Sequence, residues 1–121
     1  MIKGVLVAES LRTGCSLADV RLVVLSITRT DPANVTSVQP STWTLIKFEA
    51  DDAEAPMLSD QLANVLDGPG WYADFHTDTE SFVVFPHRVF RYLRGDEYER
   101  RLAEDYARSL GIPESQLDWP T

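Results

Sequence analysis

The 121-residue sequence is poor in cysteine and has no long hydrophobic run. Its single thiol, Cys15, cannot form an internal disulfide and has no second Cys for a redox or zinc pair. Strongly apolar residues follow one another for at most four positions, as in Leu22–Leu25, whereas roughly 20 are needed to cross a bilayer. The amino-terminal residues also lack the charged region and the apolar stretch of a secretory signal. These absences predict a protein that resides in the cytoplasm and has no membrane partner.

Basic residues are missing from a long middle segment, residues 51–86. The whole chain carries 11 Lys and Arg against 19 Asp and Glu, for a formal net charge of −8. The acidic residues of the middle segment account for the whole excess; they are Asp51, Asp52, Glu54, Asp60, Asp67, Asp74, Asp78 and Glu80. A field of this sign repels phosphate backbones, so we expect no nucleic-acid partner. The same charge either keeps the protein soluble or docks a basic protein partner.

The common signatures of catalysis are also missing. The sequence contains no phosphate-binding loop, no GxSxG or HExxH motif and no dinucleotide fingerprint. No stretch has the ligand spacing of a zinc site or of a calcium loop. Cys15 lies between Gly14 and Ser16, which supply no base to activate its thiol as a nucleophile. We therefore expect no catalytic residue, no metal and no cofactor, and the sequence favours a protein that is not an enzyme.

What is present is the composition of one folded domain. Hydrophobic residues make up 44% of the chain and aromatic residues 10%, which disordered chains do not reach. A compact chain of this mass buries roughly two-thirds of the surface that its unfolded form exposes. We predict a single domain that spans residues 1–121.

The hydrophobic periodicity predicts eight elements in the order βββαβββα. Period-two alternation indicates six strands, at residues 2–11, 20–30, 42–50, 71–76, 81–85 and 89–93. Helical spacing between acidic caps and a closing glycine indicates two helices, at residues 53–66 and 97–110. Short links are typical of an α+β domain, so we expect a single, mostly antiparallel, curved sheet of about six strands with both helices on one face. The last ten residues should belong to the fold, because Ile112, Leu117 and Trp119 are too apolar for a free tail.

The predicted fourth strand carries the strongest candidate for a ligand site. Tyr72, Asp74 and His76 share one of its faces, because side chains two apart on a strand point the same way. A His between two carboxylates could bind a divalent metal or act as a general base. The alternative is a solvated polar face on an antiparallel strand, with Trp71 and Phe75 buried on the other side.

Three arginines, Arg88, Arg91 and Arg94, stand beside Phe90 and Tyr92 around the sixth predicted strand. We call these five residues the arginine cluster. Guanidinium groups beside aromatic rings could hold an anionic ligand by bidentate hydrogen bonds and stacking. The alternative is that the arginines pair with acidic residues of the middle segment and protect the edge of the sheet.

Two functional hypotheses are compatible with these features. The first is a non-catalytic protein-interaction module, immunity-like or accessory, that binds a basic partner through Asp74, Asp78 and Glu80. The second is a small-molecule-binding protein or an enzyme that uses Asp74, His76 and the arginine cluster. A flat acidic surface would favour the first hypothesis, whereas a pocket where His and carboxylate side chains converge would favour the second.

Several short motifs are distinctive and cover most of the chain. They are Ala8–Arg12, Gly70–Phe75, Phe82–Phe85, Arg88–Tyr92, Arg94–Asp96, Gly111–Glu114 and Gln116–Trp119. In these motifs the sequence resembles a group of small uncharacterised bacterial proteins. The resemblance implies a bacterial, cytoplasmic, single-domain protein, and it implies nothing about a mechanism.

Overall fold

A computed structural model describes residues 1–121, and its regular elements follow the predicted order βββαβββα. The six strands are β1 (Ile2–Val7), β2 (Val23–Thr30), β3 (Trp43–Ala50), β4 (Ala73–His76), β5 (Glu80–Phe85) and β6 (Arg88–Leu93). The two helices are α1 (Ala55–Val65) and α2 (Glu97–Ser109). The strands form one open sheet in the order β2-β3-β1-β4-β5-β6, in which every neighbouring pair is antiparallel. The predicted α+β class with one six-stranded antiparallel sheet is confirmed.

Three strands are shorter than predicted by two residues or more. β1 ends at Val7 instead of residue 11, because the chain turns there into a short 3-10 helix, Ala8–Ser10. The Ser10 hydroxyl donates to the Val7 carbonyl oxygen at 2.6 Å and stabilises this turn. β2 begins at Val23 rather than at residue 20, and β4 begins at Ala73 rather than at residue 71.

Helix α1 covers one face of the sheet, which we call the α1 face. Leu58 and Leu62 of α1 lie in a buried cluster with Phe75 and Phe82. The two Phe rings stack with 4.6 Å between their centroids. The segment between β1 and β2 extends the cover, and its residues against this cluster are Leu17, Val20 and Leu22. The α1 face therefore forms the larger of the two buried cores.

Helix α2 covers the opposite face, so the prediction that both helices share one face is wrong. Val83 and Phe85 of β5 lie in a second buried cluster with Ala107 of α2. Their neighbours Phe82 and Val84 belong to the cluster against α1. Successive side chains of a strand point to opposite faces, and β5 is apolar on both. Each face of β5 therefore requires its own helix.

The carboxy-terminal tail is part of the fold, as predicted. Ile112, Leu117 and Trp119 are buried in the cluster beside α2. The indole N–H of Trp119 donates to the hydroxyl of Tyr92 at 2.9 Å. The ring of Trp119 also meets the ring of Tyr72 edge-on, with 5.4 Å between the centroids. These contacts hold the tail across the sheet next to α2.

The variant Trp119→Ala should lower the free energy of unfolding by about 3 to 5 kcal/mol, the range for buried aromatic residues cut back to alanine. The control is Tyr98→Ala on α2, where the side chain is 68% exposed and the loss should stay below about 1 kcal/mol. Chemical denaturation followed by circular dichroism measures both values. Equal losses in the two variants would mean that the tail contributes no more than a surface residue.

Candidate functional site

Helix α2 covers only part of its face of the sheet. Over β1, β3 and β4 this face is uncovered, and a groove of about 710 Å³ lies there. We call it the sheet groove. Val5 and Leu45 belong to its apolar floor. Its walls come from three segments that are distant in sequence, residues 30–34, 70–72 and 116–120. The groove is thus built from both halves of the chain.

The strand register decides which charged side chains meet on the floor. In one cross-strand row Lys47, Val5 and Asp74 lie side by side on β3, β1 and β4. The neighbouring row consists of Glu49, Lys3 and His76. These two rows make one end of the sheet groove polar.

Aromatic side chains form much of the remaining lining. Trp43 begins β3 and Trp71 precedes β4, and their ring centroids lie 5.1 Å apart. The indole N–H of Trp43 donates to the Pro40 carbonyl oxygen at 2.9 Å. Tyr72 and Trp119 line the groove on the side of the tail. An apolar ligand would therefore contact aromatic rings on more than one side.

A buried amide pair joins the walls of the groove. The side-chain amide of Gln116 donates to Gln39 Oε1 at 2.9 Å and to the Asn34 carbonyl oxygen at 2.7 Å. In return, the amide of Gln39 donates to the Gly70 carbonyl oxygen at 3.1 Å. All three wall segments are held by this network. Because buried amides need their partners, the pair fixes the distance between the walls.

Asp74 provides the carboxyl group on the groove floor. The side chain is partly buried, and no group of the protein donates a hydrogen bond to it. Burial raises the pKa of Asp74 to about 7, and the negative charge of Asp118 adds to the effect, while Arg100 acts in the opposite direction. Asp74 therefore exchanges its proton close to neutral pH, which is common for carboxyl groups in functional clefts.

Tyr72 and Asp118 lie next to this carboxyl group. The Tyr72 hydroxyl donates to the Gln116 carbonyl oxygen and lies 3.4 Å from Asp118 Oδ1. Burial raises the pKa of Tyr72, and the charges of Asp74 and Asp118 raise it further. The phenol therefore remains neutral and serves as a hydrogen-bond donor.

His76 lines the sheet groove together with Asp74, as expected for residues on one face of a strand. Burial lowers the pKa of His76 below its usual value, and the positive charges of Arg94 and Lys3 lower it further. The imidazole is thus biased towards its neutral form, which can both donate and accept a hydrogen bond.

The structure does not bring the three arginines of the cluster together, because successive residues of β6 point to opposite faces. The Arg88 guanidinium lies over the rings of Phe90 and Tyr106, 4.8 Å from each centroid. Arg91 is on the other face and pairs with Glu80, with 2.5 Å between Nε and Oε2. The sequence offered two roles for these arginines, an anion site or pairing with acidic residues at the edge of the sheet. The ion pair of Arg91 with Glu80 is of the second kind.

The remaining two members of the cluster are also engaged elsewhere. The Tyr92 hydroxyl accepts the hydrogen bond from Trp119. Arg94 follows β6, and its Nη1 lies 3.4 Å from the Thr77 carbonyl oxygen. Of the residues predicted to bind a ligand, those of the fourth strand therefore line the groove, and none of the arginine cluster does.

The three acidic residues proposed to bind a basic partner do not form one surface. Asp74 lies in the sheet groove. Asp78 is exposed in the turn between β4 and β5. Glu80 points to the α1 face and is engaged by Arg91. A partner that contacts all three carboxylates would have to reach both faces of the sheet.

Sequence reasoning missed several residues of the groove. Trp43 and Asp118 line it, and Gln39 and Gln116 join its walls by hydrogen bonds. The three Trp residues were the available signal, because a large apolar ring with one polar N–H is common at binding surfaces. The two Gln residues carried no local signal. Their role depends on a contact between positions that are 77 residues apart.

No family model, curated protein or solved structure matches this chain. The resemblance to small bacterial proteins therefore remains a prediction. None of the helices has the length and apolar character needed to span a membrane. No group of three or more His, Cys, Asp or Glu side chains is arranged to hold a metal ion. The function has to be inferred from the groove itself.

The variant Asp74→Asn should be more stable than the wild type at pH 8. Folding raises the pKa of Asp74 from 3.8 to about 7. The protonated carboxyl therefore contributes its full stabilisation below pH 3.8, and this stabilisation is lost as the pH rises through about 7. The upper limit of the gain is about 4 kcal/mol, and water in the groove should reduce it to about 2 kcal/mol.

Denaturant unfolding of both proteins at pH 4 and pH 8 measures this difference. At pH 4 the two stabilities should agree much more closely, since wild-type Asp74 is then largely protonated in the folded state. Asp78→Asn is the matched control, because Asp78 is exposed and its replacement should change little at either pH. A gain that is equal at both pH values would contradict the raised pKa.

Proposed function

We propose that the protein binds a small organic molecule in the sheet groove. The observation that carries the proposal is an apolar and aromatic groove of about 710 Å³ with the unpartnered Asp74 on its floor. Sites for small molecules are typically concave, apolar and roughly 300 to 1,000 Å³ in volume, with few polar groups that orient the ligand. The volume, the aromatic rings and the Asp74 carboxyl on the floor all meet this description.

This proposal takes the second of the two sequence-based hypotheses and narrows it. The site consists of Asp74 and His76 on β4 with the aromatic lining, without the arginine cluster. It is a proposal for binding and names no chemical step. The first hypothesis, an acidic docking face, has less support because Asp74 and Glu80 lie on opposite faces of the sheet.

Indole is a suitable neutral probe, since it is small, flat and apolar. Titration followed by ¹H–¹⁵N correlation spectra should shift the amide signals of Val5, Val7 and Leu45 on the groove floor. The variant Val5→Trp places a large side chain on the floor and should weaken indole binding by at least about tenfold, equivalent to about 1.4 kcal/mol. The matched control is Leu93→Trp on β6, which is exposed outside the groove and should bind as the wild type does.

Two results would contradict the proposal. The first is the absence of any shift at the groove amides up to the solubility limit of indole. The second is equal binding to the wild type and to both variants, because the probe would then occupy some other surface.

A second candidate function is protein association through β2, the edge strand next to β3. Its large apolar side chains are between 48% and 65% exposed; they are Val23, Val24, Leu25 and Ile27. A break in register between Val24 and Ser26 turns them towards both faces. Natural edge strands usually carry charges or cover, since their free N–H and C=O groups pair readily with another strand.

A second copy of the chain is the partner that this edge fits best. Two antiparallel copies of β2 can pair about a two-fold axis, the commonest symmetry of homodimers. Residues 1–50, which include β2, carry five basic and four acidic residues, so the large negative charge of residues 51–86 is not concentrated at this edge. Self-association at β2 therefore avoids much of the repulsion that the net charge of −8 would produce elsewhere.

Sedimentation equilibrium tests this association. The wild type should be a dimer, and Ile27→Lys should shift it to a monomer, because a charge on an edge strand opposes pairing. Leu93→Lys is the control, since Leu93 is equally exposed but lies on β6 at the opposite edge. A wild type that stays monomeric at millimolar concentration would remove this candidate and leave the groove unaffected.

A further inference from the structure

We propose that the ligand of the sheet groove carries a protonated amine beside an apolar or aromatic body, and that the amine is held by Asp74. This inference rests on the proposed function, because it assigns a chemical class to the ligand of that same site. Three features of the groove support it: a carboxyl group without a hydrogen-bond donor, aromatic walls and the absence of an ion pair between that carboxyl and the basic residues of the groove.

Asp74 has no cation of its own. The negative charge of the nearby Asp118 raises the pKa of Asp74 further, and Arg100 is the cation whose charge opposes this. Arg100 is committed elsewhere, because its Nη2 donates to the Trp119 carbonyl oxygen at 2.8 Å and its Nη1 to the Pro120 carbonyl oxygen at 3.2 Å. A partly buried carboxylate without a partner is unfavourable, and a ligand ammonium group would supply both the opposite charge and the hydrogen bonds.

The aromatic lining also favours a cation with an apolar body. Trp71 and Tyr72 immediately precede β4, and both line the groove beside Asp74. Trp43 packs against Trp71 further along the groove from the row of Asp74, so an apolar body that extends from the carboxyl group along the floor would meet indole surface. Tyr72 is the ring next to Asp74, and ammonium groups are attracted to the faces of aromatic rings.

None of the basic residues of the groove forms an ion pair with Asp74. Val5 separates Lys47 from Asp74 in their row, and two strand spacings correspond to roughly 10 Å between the backbones. Lys3 stands in the neighbouring row between Glu49 and His76. If these lysines dominated recognition, the preferred ligand would be an anion, and this is the rival outcome.

Three indoles with matched bodies separate the possibilities. Tryptamine carries a protonated amine at pH 8, 3-ethylindole is its neutral counterpart, and indole-3-propionate is an anion. Calorimetric or spectral titration of the wild type at pH 8 should show tryptamine binding at least about tenfold tighter than 3-ethylindole, as a charge-assisted hydrogen bond requires. Raising the salt concentration should reduce this preference only partly, because the carboxyl is partly buried.

Asp74→Asn should abolish the preference for tryptamine and leave the affinity for 3-ethylindole within about twofold, since the shape of the side chain is retained. Asp78→Asn, the same change at an exposed position outside the groove, should keep the full preference. Circular dichroism of both variants establishes that they are folded. A preference that survives in Asp74→Asn would overturn the inference.

The remaining outcomes distinguish this inference from the proposed function. If 3-ethylindole shifts the groove amides but tryptamine binds no tighter, the amine assignment is wrong and the proposed groove function stands. The same holds if indole-3-propionate binds tightest. If none of the three indoles shifts the groove amides, the proposed function fails, and the amine assignment fails with it.

Discussion

The burial of β5 on both of its faces is the constraint on which the rest of the structure depends. Phe82 and Val84 point into the core against α1, and Val83 and Phe85 point into the core against α2. A strand that is apolar on both faces has to lie inside the sheet with cover on each side. One helix on each face satisfies this requirement, and the antiparallel hairpins place β4 and β6 beside β5.

The sheet groove is a consequence of unequal cover. A helix is about 10 Å wide and covers roughly two strands, whereas a six-stranded sheet is more than twice as wide. On the α1 face, the segment between β1 and β2 supplements α1 through Leu17, Val20 and Leu22. On the opposite face, the tail supplements α2 only as far as Trp119, which lines the groove. The floor over β1, β3 and β4 stays open, and the Gln39 and Gln116 amides hold its walls.

Within this groove, stability and binding make opposite demands on Asp74. An asparagine at this position would be easier to bury at neutral pH, because burial penalises the charged carboxylate. Functional clefts typically contain groups that destabilise the unliganded protein and interact favourably with a bound ligand. Contacts elsewhere in the fold offset the destabilisation caused by Asp74. Among them are the aromatic contacts of Tyr72, Phe85 and Trp119 around α2 and the tail.

The sequence by itself determined the elements, their order and the burial of the tail, because these depend on local periodicity and on side chains too apolar for water. The bounds of β3, α1 and α2 agree with the predicted ones to within about two residues. The alternation along β6 already implied that Arg88 and Arg91 point to opposite faces. Only the tertiary structure decided which face each helix covers, since alternation separates two faces without assigning a helix to either. It alone brought Asp74 and Tyr72 to Asp118, and Gln39 to Gln116, because such contacts join distant positions through the order of the strands and leave no periodic trace in the chain.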